Sequence, residues 1–228
     1  MSRWGFHIIN FKLLKTNRET PTHEEIIPPF VPKLQNIYLH SMAIKLKHSN
    51  TYSTYFITFT CIEWISLFDI TNGYDLAYNW FSVLKKEHNA DVVAYVLMPN
   101  HLHVIVYFPE QDFNLNTILA NGKRFIAYQI VNRLEAAENK EMLFHLESLV
   151  TLRERKKGQI HKIFKDSFDA KAIFTQKFLI QKINYIHYNP VTGKWMLAKN
   201  FTEYEHSSAP FYEDQLVKHF RPVHYMDL

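Results

Sequence analysis

His101 and His103 stand two residues apart in the run Met98-Pro99-Asn100-His101-Leu102-His103-Val104-Ile105-Val106. In a β-strand, alternate side chains share a face. Both imidazoles would then leave one side of the strand, continued by Ile105 and Tyr107. Leu102, Val104 and Val106 would leave the other. Two residues of strand rise separate the histidines by about 7 Å, a span across which two imidazoles can hold one metal ion. Alone, the pair is weak evidence. The 13 His among 228 residues give roughly 0.7 such pairs by chance. Two half-buried structural histidines explain it equally well until a third ligand and a reason for the metal are found.

The run Tyr185-Ile186-His187-Tyr188-Asn189-Pro190 supplies both. Tyr185 and Asn189 are i,i+4 and share one helical face. A tyrosine can be a nucleophile, and a carboxamide oxygen one turn on can be a third ligand. Two neutral imidazoles and an amide oxygen make a mixed N/O site with open positions. Such a site suits Mg²⁺ or Mn²⁺ with a substrate phosphate better than a closed zinc site. A phosphodiester resists attack because its oxygens are negative, and a bound metal withdraws that charge and orients the group. A phenol, with a pKa near 10 in water, then needs a base or the metal's field to attack. The product stores the ester as phosphotyrosine for a second transfer. A tyrosine opposite a two-histidine site therefore points to strand transfer more than to hydrolysis. Tyr188 is a rival nucleophile, although Thr192 rather than a carboxamide stands at its i+4 position. Bland roles exist too: Asn189 could cap the helix end, and Tyr185 could be a core tyrosine with a bonded hydroxyl. His187 should face elsewhere.

The strings MPNHLHVIV and YIHYNPV, with HSSAPFY at His206–Tyr212, resemble the single-tyrosine transposases of the HUH superfamily. The branch they resemble most is the one associated with repetitive extragenic palindromes (REP). The resemblance covers roughly Thr51 to Tyr212, with the motifs in the right order and separation. It implies a ferredoxin-like α+β fold with the histidine pair on a central strand. It implies cleavage of single-stranded DNA beside a small hairpin, through a 5′-phosphotyrosine and a free 3′-OH. On that match His101, His103 and Asn189 are the ligands of a divalent metal, Mg²⁺ or Mn²⁺, and Tyr185 is the nucleophile. Many members carry Gln where this chain has Asn189, so the shorter side chain must approach closer. The implied partner is single-stranded DNA with hairpin elements. A homodimer that exchanges the tyrosine helix is one assembly the resemblance admits. Two other readings stay open: a hairpin-binding module without catalysis, and a nuclease using metal-bound water.

The elements that must position these residues follow from side-chain pattern. Thr51 to Cys61 is rich in β-branched and aromatic residues and reads as a strand. Asp75 to His88 has helical spacing, with Thr71 and Asn72 as available caps. Ala90 to Leu97 and His101 to Phe108 read as strands separated by a short break, which suggests an antiparallel pair. Asn116 to Leu134 reads as helix with Gly122 as a soft spot. Glu135 to Val150 continues it or forms a second helix. Thr175 to Asn189 is a further helix, ended near Asn189 because Pro190 disfavours helical geometry there. This order points to an α+β sandwich with a largely antiparallel sheet.

Composition sets the outer bounds. The length suits one domain plus an appendage. Residues 1–41 carry four prolines between Thr20 and Pro32 and read as a poorly packed extension, with the functional domain starting at Met42. Hydrophobic residues make up 47% and charged residues 21%, which permits a sizeable core and argues against disorder. With five Gly and no GxGxxG or GxxxxGK[ST] string, a nucleotide-binding phosphate loop is unsupported. One Cys rules out an internal disulfide and a multi-cysteine zinc site. No long apolar run or signal sequence is apparent, so a cytoplasmic protein without a membrane partner is the simplest reading.

A net charge of +4 and a pI near 8.9 permit a nucleic-acid partner without demanding one. Thr151 to Lys165 contains six Lys or Arg, including Arg153, Arg155, Lys156 and Lys157, against one acid, Glu154. Such a run is either a solvated loop or a phosphate contact. With a DNA partner implied, these four residues, and Lys123 and Arg124, are expected to contact DNA. Phe125 is expected in the core, and Tyr128 either there or stacked on unpaired bases. Trp64, Trp80 and Trp195 have no assignable role.

Overall fold

A computed structural model describes residues 53–110, 112–166 and 169–228. The expectations for residues 1–41 and for a boundary at Met42 lie outside the described residues. In chain order the elements are β1 (Thr54–Thr60), α1 (Leu67–Ile70), α2 (Tyr74–His88), β2 (Asp91–Met98) and β3 (His101–Tyr107). They continue with α3 (Leu115–Ala136), α4 (Lys140–Ser148), α5 (Leu152–Arg155), β4 (Asp169–Ala172), α6 (Gln176–Tyr188) and α7 (Ala209–Asp214).

The strands form one antiparallel sheet in the order β2-β3-β1-β4. β1 and β2 both run against β3, which lies between them, so β1-α2-β2 is a split βαβ unit and the sheet is ferredoxin-like. β3 occupies the centre, as a strand carrying a site should. β4 is not expected from the sequence. Its four residues, Asp-Ala-Lys-Ala, include none of the β-branched or aromatic types that mark a strand. Its strand character comes from pairing with Tyr55–Thr58 of β1.

Alternation divides the sheet's side chains between two cores. Leu102, Val104 and Val106 join Tyr55, Ile57 and Phe59 on one face. There they meet Leu76, Ala77, Trp80, Phe81 and Leu84 of α2 and Ile118, Leu119, Ile126, Ile130 and Leu134 of α3. Gly122 lies against Trp80, and a Cβ at that position would overlap the indole ring. The supposed soft spot is thus a close-approach residue, and glycine is what lets α3 reach α2. On the opposite face Phe56, Ile105, Val96 and Met98 meet Ile183 and Ile186 of α6 and Tyr204. A bulge at Val92–Ala94 turns Val93 and Ala94 both towards this second core.

Several boundaries differ from expectation. Neither Thr71 nor Asn72 caps α2: the N-cap is Gly73, and the Thr71 hydroxyl donates to Leu67 O at 2.6 Å. Of the two alternatives for residues 135–150, the second holds: a separate helix, α4, follows α3. Glu138 is left-handed (φ 51°) and Asn139 caps a new helix by accepting from Met142 N. α6 does end where expected, at Tyr188, but Asn189 keeps helical angles (φ −52°, ψ −44°) in the 3₁₀ turn Asn189–Val191 despite the following proline. Among the described residues no helix is long and apolar enough to cross a membrane.

Candidate active site

His101 and His103 emerge from β3 on the α6 side. Both are buried, 4% and 6% exposed, with ring centroids 4.8 Å apart. Each has its Nδ1 held by a neighbour. Thr58 pairs with His103 across β1 and β3, and its Oγ1 lies 2.8 Å from His103 Nδ1. Asn100 serves His101. Its Nδ2 donates to Trp64 O at 2.7 Å, which leaves Oδ1 to accept from His101 Nδ1–H at 2.7 Å. The proton is therefore on Nδ1, and the Nε2 lone pair of His101 is available. The same holds for His103 when Thr58 accepts from Nδ1–H. Partners of this kind fix the tautomer and the ring plane of a metal-binding histidine.

α6 brings the second half. Thr175 caps its start by accepting from Phe178 N, and Ile183 and Ile186 bury one side against the sheet. Tyr185 is 47% exposed, so its ring lies at the mouth of the site. Its hydroxyl is 3.3 Å from His103 Nε2. Phe56 stacks on His103 at 5.3 Å and meets Tyr185 edge-on at 5.9 Å, fixing the two rings relative to each other. One turn on, Asn189 is buried with its side chain near His101. Its Oδ1 has no hydrogen bond of good geometry among the described residues. A buried acceptor without a partner costs about 1–3 kcal/mol, so such atoms call for a reason.

Electrostatics agree with the geometry. Burial pushes the His101 pKa down to about 4, partly opposed by Asn189 and assisted by the charge of Lys194. Burial, then His101, then Lys182 hold His103 well below the ordinary histidine range. Both rings are neutral near pH 7 and need lose no proton to bind a cation. Two Nε2 atoms and one orphaned amide oxygen are a donor set that could hold a divalent ion. Among the described residues no three His, Cys, Asp or Glu side chains could hold a metal. All three donors here are neutral, so an ion bound by them would keep its full charge for a substrate.

Tyr188 is placed differently from Tyr185. Its ring packs on Phe201 at 4.4 Å. His187 is buried, with Nε2 3.0 Å from Ser208 Oγ. The HSSAPFY string forms scaffold: Ser207 bridges to Val96, Ser208 exchanges hydrogen bonds with the Tyr95 backbone, and Tyr212 donates to Val93 O. The string bolts the C-terminal segment along β2.

The basic residues separate into distinct kinds. Lys123 departs from the expected DNA contact. Its Nζ donates to Lys165 O at 2.5 Å and lies over Phe59 and Phe164, and burial lowers its pKa to about 8. It is a structural cation. Arg155 is pinned to Glu147 at 3.2 Å and to two carbonyls at the end of α4. Arg124, Arg153, Lys156 and Lys157 are exposed. Arg124 and Lys157 line a groove of about 660 Å³ between α3 and residues 157–166, together with Tyr128 and His161. Glu154 organises the basic run. It closes a capping box with Thr151 and pairs with Lys162 at 2.7 Å, contacts that hold its carboxyl at about 2 against the opposing effect of burial. Phe125 is half-exposed rather than in the core. Asn100, Thr58 and Trp64 were missed as site residues. Only Asn100, adjacent to His101 and ahead of a strand, left a trace in the sequence.

The fold and the site define a class: a ferredoxin-like sheet whose central strand carries paired histidines, faced by a tyrosine from a helix of the same chain. No family model and no curated protein matches the chain. Among solved structures, the chain is similar to a REP-associated tyrosine transposase bound to a REP hairpin. The two are 20% identical with a TM-score of 0.49, and the match covers 77% of this chain and 88% of that one. It is also similar to a candidate transposase from Deinococcus radiodurans R1, at 12% identity and a TM-score of 0.37, covering 59% and 88% of the two chains.

Proposed function

We propose that this protein is a metal-dependent single-stranded DNA transesterase that cuts beside a DNA hairpin through a 5′-phosphotyrosine. The observation that carries the reading is the Tyr185 hydroxyl 3.3 Å from His103 Nε2, with the orphaned Asn189 Oδ1 beside the other imidazole. His101, His103 and Asn189 would hold the ion. When bound, it supplies Lewis-acid neutralisation of the scissile phosphate.

The chain's own residues do the rest. The Tyr185 oxygen attacks phosphorus, and the bond from phosphorus to the 3′-oxygen breaks. The phenol loses one proton and the leaving 3′-oxygen gains one. A 3′-hydroxyl attacking the phosphotyrosine reverses the step and joins strands. With its Nδ1–H held by Thr58, His103 Nε2 accepts the Tyr185 hydroxyl and keeps it beside the donors that would hold the ion. Lys182, with Nζ 5.3 Å from the Tyr185 ring centroid, brings positive charge to the side where the phosphate arrives. The exposed Arg124, Arg153, Lys156 and Lys157 offer contacts to the flanking backbone.

The test is a 5′- and 3′-labelled single strand bearing a hairpin, incubated with the protein in Mg²⁺ or Mn²⁺. A covalent protein–DNA adduct should form, persist in Tyr188→Phe and vanish in Tyr185→Phe. An adduct that survives Tyr185→Phe, or many turnovers of cleavage with no adduct, overturns the reading. The latter result would indicate attack by water.

A further inference from the structure

Trp64 has no part in either core, and its backbone is costly. Glu63 and Trp64 are consecutive left-handed residues, with φ of 48° and 61°, a conformation that costs a residue with a Cβ roughly 1–2 kcal/mol. Several contacts hold it. Asn100 Nδ2 donates to Trp64 O at 2.7 Å, Trp64 N donates to Cys61 O at 3.2 Å, and Glu63 pairs with His145 at 3.0 Å. Lys165 Nζ stands 4.3 Å from the indole centroid. The result is an indole 51% exposed whose centroid lies 5.7 Å from that of His101. Hydrophobic packing would bury such a ring. Here the fold holds it out beside the site, and backbone strain of this kind accompanies function. A second indole, Trp195, also lies 5.7 Å from His101, with Lys194 5.3 Å from its ring.

We propose that Trp64, with Trp195 nearby, is a stacking platform for an unpaired nucleobase next to the phosphate that Tyr185 attacks. This deepens the transesterase reading and rests on it for the identity of that phosphate. An indole face accepts any base, and bases engaged in a duplex offer no free face, so the platform selects single strands without reading sequence. The Lys165 ammonium lies over one face of the Trp64 indole, so a base would take the other face, with the positive charges of Lys165 and Lys194 close to both rings. Asn100 joins platform to chemistry, because one carboxamide holds both the Trp64 carbonyl and the His101 Nδ1–H.

The platform is tested by binding, without turnover. In a Tyr185→Phe background, at fixed salt and without divalent ion, the dissociation constant of a fluorescein-labelled oligo-dT strand is measured beside that of a duplex of equal length. Trp64→Ala should weaken single-strand binding about 5- to 150-fold, the stacking range per base. Trp64→Phe should recover much of the loss, and duplex binding should not change. Equal binding by Trp64→Ala, or equal weakening towards single strand and duplex, overturns the platform. Should Trp64→Ala fail to fold, abasic residues walked along a hairpin-bearing strand test the Tyr185→Phe protein instead. One or two sensitive positions support the platform, and uniform tolerance overturns it. The two ideas fail separately. Trp64-dependent binding without any adduct refutes the transesterase and keeps the platform, whereas an adduct with Trp64-independent binding does the reverse.

Discussion

The two faces of the sheet are built to different ends. Against α2 and α3, apolar side chains meet apolar side chains, and Phe59, Phe81, Leu84, Leu102 and Val104 are wholly buried. Against α6, buried imidazoles, an orphaned amide oxygen and a neighbouring left-handed tryptophan stand among fewer apolar contacts. The first face carries stability. The second gives some up to hold neutral donors in fixed orientations. One strand serves both faces, since β3 alternates Leu102, Val104 and Val106 with His101, His103 and Ile105. The partition should show in mutants: changes on one face alter folding, and changes on the other alter chemistry.

The largest effect should come from Phe81→Ala, which empties a fully buried ring site and should cost about 3–5 kcal/mol. Urea unfolding reads the loss, while adduct formation per folded molecule should be unchanged. Asn100→Ala strips the buried His101 Nδ1–H of its partner, which should cost about 1–3 kcal/mol of folding, and should lower divalent-ion affinity about 10- to 100-fold, the usual cost of losing a histidine's supporting partner. Isothermal calorimetry reads that change. Asn100→Asp, which keeps an acceptor for His101 Nδ1–H, should lose less.

Asn189→Ala should separate the faces most sharply. It removes an unpaired buried acceptor, so the ion-free protein should unfold at equal or higher urea concentration, by up to about 1 kcal/mol. The ion concentration needed for adduct formation should nonetheless rise. A clear loss of ion-free stability would mean that the amide is structural. On the other face, Gly122→Ala should cost about 1–3 kcal/mol through overlap with Trp80.

A further effect concerns acid. His206 accepts or donates at Tyr78 OH, 3.0 Å away, and stacks on Tyr74 at 3.8 Å. Burial, helped by His219 and Lys218 and opposed by Glu205 and Asp69, lowers its pKa to about 4. The unfolded chain takes up this proton near pH 6.5 and the folded chain only near pH 4. Stability should therefore fall as pH drops through that window. His206→Gln should flatten the decline in a series of urea midpoints taken from pH 7 to pH 4.

Much of this was legible in the sequence, for identifiable reasons. The strands β1, β2 and β3 and the helices α2, α3 and α6 bury continuous stripes, so side-chain period alone marks them. The i,i+2 and i,i+4 spacings put His101 with His103, and Tyr185 with Asn189, before any coordinates. What was hidden depends on register or distant packing. Thr58 supports His103 because β1 pairs with β3 in one register out of several. Lys123 turns inward because Phe59 and Phe164 come together around it. Pro190 marked the end of α6, which stops at Tyr188, but not the helical angles that Asn189 keeps as the chain tightens into a 3₁₀ turn.

The packing of α6 on its own sheet has a kinetic consequence. Tyr185 and His103 meet within one chain, so on the proposed transesterase reading the opening cut would need no encounter between copies. Its rate per molecule, measured with saturating strand in a single turnover, should stay constant as the protein is diluted from micromolar to nanomolar.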